Sequence, residues 1–150
     1  MVETTDAIAN NSPLDELLPL LQRLDQLLEQ AVASAQVVYG TETAYDPYRG
    51  LHVNSEDAEK LLQRKPAAPV FQLNSQLPTE PISNFIKEGS RLARLIQTFG
   101  LSDFDLDIIT IALAPELDRR YDRLYAYLQD DLRRQRPSVD LALNLLCPNV

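Results

Sequence analysis

One apolar face recurs from residue 14 to residue 35, and it constrains the fold more than any other feature of the sequence. Its members follow the spacing of three and four residues that places side chains on one side of a helix. They are Leu14, Leu17, Leu18, Leu21, Leu24, Leu27, Leu28, Ala31, Val32 and Ala35. The pattern predicts a long amphipathic helix with Ser12 as N-cap and Pro13 as its first residue, ending before Gly40. Pro19 lacks an amide hydrogen, so a bend or a restart is expected there.

Two further helices are predicted on either side of Gly100. Pro81 opens the first of them, and Gly100 supplies the left-handed residue that ends it. The apolar face of this helix is Ile82, Phe85, Ile86, Leu92, Leu95, Ile96 and Phe99.

Ser102, with Asp105 three residues later, has the pattern of the N-cap of the next helix. That next helix is apolar on almost all sides, which predicts a position at the centre of the core. Its apolar residues are Phe104, Leu106, Ile108, Ile109, Ile111, Ala112 and Leu113.

Two later prolines predict the last helix boundaries. Pro115 is expected to separate the central helix from a fourth one over residues 118–134. The face of this fourth helix is Tyr121, Leu124, Tyr125, Leu128 and Leu132. Pro137 and Ser138 are expected to start a final helix. It carries Val139, Leu141, Ala142, Leu145 and Leu146.

The order of these elements predicts one all-α domain. Residues 1–11 are polar and indicate a loose tail, while residues 12–150 are long enough for a single core. Residues 40–78 are rich in turn formers and predict a long structured connection, with a short helical pattern at 55–64 and brief extended pairing at 70–73. We therefore expect an irregular helical bundle of about five to six helices.

The distribution of charge argues against two classes of partner. The formal net charge is −8, and residues 1–60 hold 11 acids against 3 bases, whereas residues 61–150 hold 11 of each. An acidic surface repels nucleic-acid phosphates and anionic lipids. The apolar stretches are interrupted by charges well short of the roughly 20 residues that cross a bilayer.

The single cysteine, Cys147, is expected to be a small buried hydrophobe. Because the sequence has no pattern of a secretory signal, the expected compartment is the cytoplasm.

The search for catalytic and metal-binding patterns predicts that this chain is not an enzyme by itself. His52 is the only histidine, so a catalytic triad or a zinc site has no support. A site built on His52, Asp46 and Tyr48 stays open as a minor alternative. The four glycines are too dispersed for a phosphate-binding loop, so no ATP site is expected. No catalytic, cofactor-binding or metal-binding residue is therefore predicted.

The clustered aspartates of the sequence are also interpreted as structural residues. Asp103, Asp105 and Asp107 resemble the first half of a calcium loop, but Ile108 stands where that loop needs glycine and Ala114 where it needs glutamate. Near the start of a helix, these acids instead complement its dipole. Adjacent Asp130 and Asp131 diverge around a helix and are predicted to be solvated surface.

A basic, tyrosine-containing stretch from residue 119 to residue 136 is the candidate partner surface. The candidate contact residues are Arg119, Arg120, Arg123, Tyr127, Arg133 and Arg134. One interpretation is a helix with Tyr121 and Tyr125 facing the core and ion pairs outside. A nucleic-acid surface and a protein-facing patch remain the alternatives.

Several runs of residues resemble the amino-terminal region of a group of bacterial AAA-type ATPases. They are Asp-Pro-Tyr-Arg-Gly-Leu at 46–51, Leu-Ala-Pro-Glu-Leu-Asp at 113–118, Tyr-Ala-Tyr-Leu-Gln-Asp-Asp at 125–131 and Arg-Pro-Ser-Val-Asp-Leu at 136–141. The resemblance spans roughly residues 14–147. It implies a region that precedes a winged-helix-like segment and an AAA module, which would bind ATP and magnesium. None of the motifs of that module occurs in this sequence, so the resemblance implies a piece of a longer protein.

The function implied by this resemblance is a non-catalytic interaction or regulatory domain. Such a domain would bind a protein partner, a substrate or a neighbouring subunit, which includes a homo-oligomer. No cofactor is expected for the chain itself. The alternative is a nucleic-acid-binding module that uses the helix predicted over residues 119–136.

Overall fold

The computed structural model describes residues 13–39, 58–59, 62–66, 68–71 and 80–147 of the 150-residue chain. Within these ranges, five α-helices and one short 3-10 helix have defined bounds, and residues 58–59 and 62–63 are also helical, inside the short helix predicted at 55–64. The elements with defined bounds are α1 (Pro13–Tyr39), the 3-10 helix (Ile82–Phe85), α2 (Arg91–Phe99), α3 (Asp103–Leu117), α4 (Arg120–Leu128) and α5 (Val139–Leu146). No strand occurs in the described ranges, so the predicted all-α helical bundle is confirmed. No described helix is long and apolar enough to cross a membrane.

Helix α1 ends before Gly40, as its apolar period predicts. The expected restart at Pro19 is wrong, because the helix continues through it. Proline removes only one amide donor there, and the helix gains far more from packing along its length. The predicted N-cap, Ser12, lies outside the described residues.

Helix α1 packs against two hydrophobic clusters, so the side of the helix that is buried differs between its first part and its later part. Leu24, Leu28, Ala31 and Ala35 enter the main cluster, whereas Leu20 enters a smaller one. Leu14 and Leu18 were expected on the buried face, but both are about half exposed. The ten-residue stripe is therefore buried over its later part only.

The main hydrophobic cluster joins four helices and fixes part of the long connection. It draws side chains from α1, α3, α4 and α5. Phe71 from the connection is buried in the same cluster, and the Val70 amide donates to the side-chain oxygen of the buried Asn144 at 2.7 Å. Residues 70 and 71 form a bend, so the extended pairing predicted for 70–73 is absent from its described half. The smaller cluster contains Leu20, Ile82, Leu92 and Leu106.

The helix predicted from Pro81 to Gly100 is two elements. The 3-10 helix stops at Phe85, and Gly89 then adopts a φ of 74°, in the left-handed region. Ser90 starts α2 by accepting a hydrogen bond from the Ala93 amide at 3.0 Å. Gly100 ends α2 at a φ of 62°, as predicted. The interruption at 86–90 exists because the glycine and the new cap both favour a break.

Helix α3 begins as predicted and ends later than predicted. The Ser102 amide donates to the Asp105 carboxylate at 2.8 Å, and the Asp105 amide donates to the Ser102 hydroxyl at 3.3 Å. The Ser102 hydroxyl and amide donate to the Asp105 carboxylate and lower its pKa. The stabilisation from this cap is therefore fully present above the ordinary carboxyl pKa and is lost as the pH falls through the lowered pKa. Pro115 does not end the helix, which continues to Leu117.

Tyr125 explains how α3 continues through Pro115. The carbonyl of Ile111 would normally accept from the amide four residues later, but that residue is Pro115. The Tyr125 hydroxyl donates to this carbonyl at 2.8 Å inside the core. A side chain from α4 thus replaces the missing backbone donor.

Helix α4 is shorter than predicted and ends at Leu128. The side-chain amide of Gln129 donates to the carbonyls of Arg134 and Arg136, both at 2.9 Å, and folds the following residues into a turn. Leu132, expected on the buried face, is therefore 86% exposed in this turn. Ser138 caps α5 as predicted, although Val139 is exposed and only Leu141 and Leu145 of its predicted face are fully buried.

Candidate docking surface

The described residues contain no set of three or more histidine, cysteine or acidic side chains that could hold a metal ion. The residues of the minor enzyme alternative, His52, Asp46 and Tyr48, lie outside the described ranges. Cys147 is partly buried. The prediction that the chain is not an enzyme therefore stays a prediction.

The three aspartates at the start of α3 have separate structural roles. Asp103 accepts a hydrogen bond from the Ile82 amide at 3.2 Å. Asp105 forms the N-terminal cap, as predicted. Asp107 accepts two hydrogen bonds from Arg23 of α1, at 2.9 and 3.1 Å, and both side chains are largely buried. The contacts of Asp103 and Asp107 link α3 to other elements, which sequence spacing could not indicate.

A cavity of about 130 Å³ lies between the start of α1 and the segment before α2. It is lined by Asp15, Glu16, Phe85, Ile86, Lys87, Ser90 and Leu92. The Glu16 carboxylate accepts a hydrogen bond from the Leu92 amide at 3.3 Å. Glu16 thus satisfies a backbone donor at the start of α2, which is a structural role.

The predicted basic surface is divided between two elements. Arg119 precedes α4, and Arg120 and Arg123 lie in it, whereas Arg133 and Arg134 lie in the turn that follows α4. The prediction of one continuous helix over residues 119–136 is therefore wrong. Its physical cause is the Gln129 side chain, which holds the turn closed.

Arg120 is committed to contacts within the domain. Its guanidinium donates to Asp25 of α1 at 2.6 Å and pairs with Asp118 at 3.2 Å. It also lies 4.7 Å above the centre of the Tyr121 ring and donates to the Tyr121 hydroxyl at 2.8 Å. The hydrogen bonds to Tyr121 and Asp25 raise the pKa of Arg120, so these contacts stabilise the charged guanidinium. This arginine joins α1 to α4.

The other candidate contact residues of the basic stretch differ in their ion pairs and in their exposure. Arg134 pairs with Asp131 at 3.4 Å, and the neighbouring Arg136 pairs with Glu116 at 2.6 Å. Arg119, Arg123 and Arg133 are exposed. Tyr127 is 41% exposed. Acids thus offset much of the positive charge of this stretch, as its sequence suggests.

The other two tyrosines of α4 face the core, as predicted. Tyr121 and Tyr125 are almost fully buried, and their ring centres lie 6.3 Å apart. Burial raises the pKa of both hydroxyls, most strongly that of Tyr125. They are therefore packing groups that donate hydrogen bonds inside the domain, to Asp25 and to the Ile111 carbonyl.

An exposed apolar surface lies on α3, where the sequence predicts complete burial. Phe104 is 47% exposed, Ile108 36% and Ile109 40%, and Ala112 is also exposed. These four residues form the outer face of α3. The opposite side of the helix, with Leu106 and Ile111, is buried. The sequence interpretation missed the outer face because a helix that is apolar on all sides is normally surrounded. The signal in the sequence was the presence of an acidic residue at each end of this face, Asp105 at one end and Glu116 at the other.

Helices α2 and α3 are consecutive and have the short connection that is typical of a helix-turn-helix. A three-residue turn, Gly100 to Ser102, joins them, and the glycine is left-handed. In DNA-binding versions, the start of the second helix contacts base edges between phosphates. Here that position carries Asp103, Asp105 and Asp107. Asp105 is the exposed carboxylate of the three, since Asp107 is largely buried against Arg23. This exposed acid and the apolar side chains along the outer face are unfavourable for contact with nucleic-acid phosphates.

Comparison with known proteins identifies the family of this fold. A family model described as winged helix domain, variant, matches residues 14–150. No curated protein and no solved structure matches the chain. The match places a winged helix domain within residues 14–150, whereas the resemblance to AAA-type ATPases implies such a segment after them. Because the match covers more than half of the sequence, the chain belongs to the winged helix domain, variant, family.

Proposed function

We propose that this winged helix domain is the non-catalytic interaction domain of an AAA-type ATPase and docks a protein through the outer face of α3. The observation that carries the proposal is the exposure of Phe104, Ile108 and Ile109 on one side of a helix whose other side is core. Contiguous exposed apolar side chains on a folded domain mark interaction sites. The mechanism is binding energy at this face, coupled to a catalytic module elsewhere.

Charge favours a protein over a nucleic acid as the docked molecule. Nucleic-acid binding depends on arginine and lysine side chains that neutralise phosphates. Arg120, Arg134 and Arg136 already pair with carboxylates of the domain. The outer face itself contains no basic residue, and Asp105 stands at one end of it.

The ATPase part of the proposal is supported by the resemblance of the runs at 113–118, 125–131 and 136–141. These runs contain residues that build the scaffold, including Pro115, Tyr125 and Leu128 of the core and Ser138 at the start of α5. A relative with the same runs would therefore share the contacts that join α3, α4 and α5.

Sequencing the complete reading frame that encodes this chain tests the ATPase part. The expected result is one polypeptide that also contains a Gly-x-x-x-x-Gly-Lys-Ser/Thr phosphate-binding loop. A complete frame without such a loop would contradict membership of an ATPase and would leave the docking surface as a separate question.

A matched pair of variants tests docking at the outer face. Ile108→Glu places a charge in the centre of this face, and Val37→Glu places the same charge on another β-branched helical residue, which is 82% exposed. Wild-type protein and both variants are cross-linked in a lysate of the source cells, and the captured proteins are quantified by mass spectrometry. We expect at least one captured protein to fall about tenfold with Ile108→Glu and to be unchanged with Val37→Glu, because a buried charge without a partner disrupts an apolar contact.

Circular dichroism must show that both variants keep the helical content of the wild type. Identical capture by wild type and Ile108→Glu would show that the outer face is not the docking site. Equal loss with both variants would point to a general effect of added negative charge and would also reject the assignment.

A further inference from the structure

Helix α2 leaves part of its apolar face exposed to solvent. Leu92 is buried near the start of the helix, and Ile96, one turn later, is partly buried against the smaller cluster. Leu95 and Phe99 belong to the same predicted face, but they are 40% and 70% exposed. Helix α2 has only nine residues, a length at which a helix depends on packing for its stability. A partner that covers these two side chains therefore gains binding energy from their burial.

The basic residues of the same helix are not neutralised within the described part of the chain. Arg91 and Arg94 are exposed and form no ion pair with any described residue. The segment 91–99 itself contains no acid. The Glu16 carboxylate does reach α2, but it accepts a hydrogen bond from the amide of the buried Leu92. Two positive charges therefore remain on α2, in a chain whose net charge is −8.

The exposed basic and apolar side chains of α2 share one side of the helix. Arg91, Leu95 and Phe99 follow one another at intervals of four residues, which is about 6 Å along an α-helix. Arg94 lies beside this row, about 100° around the helix axis from Leu95. We call these four residues the α2 stripe. The outer face of α3 contains no basic residue, so the two surfaces differ in the charge of the partner that fits them.

We propose that the α2 stripe binds an acidic amphipathic segment of another protein. Carboxylates of the segment pair with Arg91 and Arg94, because a guanidinium binds a carboxylate through parallel hydrogen bonds. Apolar side chains of the segment cover Leu95 and Phe99. A segment that is only acidic or only apolar would satisfy half of the stripe. This surface lies outside the outer face of α3, so the inference goes beyond the proposed docking function.

The size of the stripe favours a protein segment over a membrane or a nucleic acid. A single myristoyl chain gives only marginal membrane binding, and the stripe offers no more than two partly exposed apolar side chains. Nucleic-acid binding commonly neutralises roughly six to ten phosphates, whereas the stripe has two arginines. The net charge of −8 repels a short segment with few carboxylates less than it repels a membrane surface or a duplex.

Photo-cross-linking of the full 150-residue chain identifies what binds the α2 stripe. Thr98 is exposed beside Arg94 and Leu95, so it is replaced by the photo-reactive residue benzoylphenylalanine. The same replacement at Val37 of α1, which is 82% exposed, is the control. Both proteins are irradiated in a lysate of the source cells, and the cross-linked segments are sequenced by mass spectrometry.

The expected capture at position 98 is a protein segment with acidic and apolar residues at helical spacing. The probe at position 37 is expected not to capture this segment. A neutral or basic segment at position 98 would overturn the proposal. So would capture of lipid or nucleic acid alone, equal capture by both probes, or no capture.

A synthetic peptide of the captured segment tests the two halves of the stripe. Arg91→Gln removes an exposed base from α2, and Arg123→Gln removes an exposed base from α4. Leu95→Gln and Leu143→Gln replace leucines that are 40% and 44% exposed. We expect Arg91→Gln to weaken binding about fivefold and Leu95→Gln about tenfold. The α4 and α5 variants are expected to stay within about twofold of the wild type. Equal affinities of the α2 variants and their controls would overturn the proposal.

The two docking proposals fail in different ways. Ile108→Glu lies in the outer face of α3, so it is expected to leave the affinity for this peptide unchanged. Loss of the peptide with Ile108→Glu as well as with Leu95→Gln would show one shared surface and would overturn the α2 stripe as a separate site. A protein whose lysate capture is unaffected by Ile108→Glu, but which binds the peptide through Leu95, would exclude docking on α3 alone.

Discussion

Replacement of Arg23 by methionine is expected to lower the free energy of unfolding by about 3 kcal/mol, since removal of one partner of a buried ion pair leaves the other charge uncompensated. Arg23 of α1 donates two hydrogen bonds to the Asp107 carboxylate of α3, and the exposed fractions of the two side chains are only 15% and 12%. Methionine keeps much of the side-chain length but offers the carboxylate no donor. Urea unfolding followed by circular dichroism measures the change.

Two controls separate the ion pair from a general loss of charge. Arg134→Met removes an exposed pair with Asp131, and its expected cost is below about 1 kcal/mol, because water already solvates both charges. The double variant Arg23→Met with Asp107→Leu is expected to recover most of the lost stability, because no buried charge remains. If Arg23→Met cost no more than Arg134→Met, the contact between α1 and α3 would not depend on this pair.

The sequence predicted those helix boundaries that depend on local contacts. Ser102 and Asp105 lie three residues apart, and Ser138 and Gly100 act through the backbone beside them. Such contacts are specified by short sequence spacing, so a single sequence reveals them. The period of α1 was equally clear, because one face of a long helix is repeated many times.

The errors arose where a side chain that belongs to no capping pattern bonds to a backbone carbonyl five to fourteen residues away. Pro115 has the local pattern of a helix end, but the Tyr125 hydroxyl supplies the donor that the proline lacks. The predicted fourth helix has a continuous pattern, but Gln129 reaches the carbonyls of Arg134 and Arg136 and closes a turn. Neither contact has a periodic signal.

The candidate site could be predicted only in part. The arginines were recognisable by their number, but their partners, such as Asp25 of α1 for Arg120, lie far away in sequence. The outer face of α3 was mistaken for core, because Phe104 and Ile108 have the composition of buried residues. Only the packing of neighbouring helices shows which side of an apolar helix is left exposed.

Replacement of Tyr125 by phenylalanine is expected to lower the free energy of unfolding by about 2 kcal/mol, the second largest effect that we predict. The Tyr125 hydroxyl donates to the Ile111 carbonyl at 2.8 Å in the core, and Pro115 offers this carbonyl no amide hydrogen. Phenylalanine fills nearly the same volume, so the loss comes from the buried carbonyl that is left without a donor. Thermal and urea unfolding of the two proteins measure this cost.

The cause can be isolated, because a second substitution restores the missing donor. Pro115→Ala supplies an amide hydrogen to the Ile111 carbonyl, so Tyr125→Phe should cost less than about 1 kcal/mol in that background. Tyr121→Phe is the matched control: its hydroxyl donates to Asp25, and its cost should be the same with proline or alanine at position 115. Equal costs of Tyr125→Phe in both backgrounds would mean that the hydroxyl does not replace the helical donor.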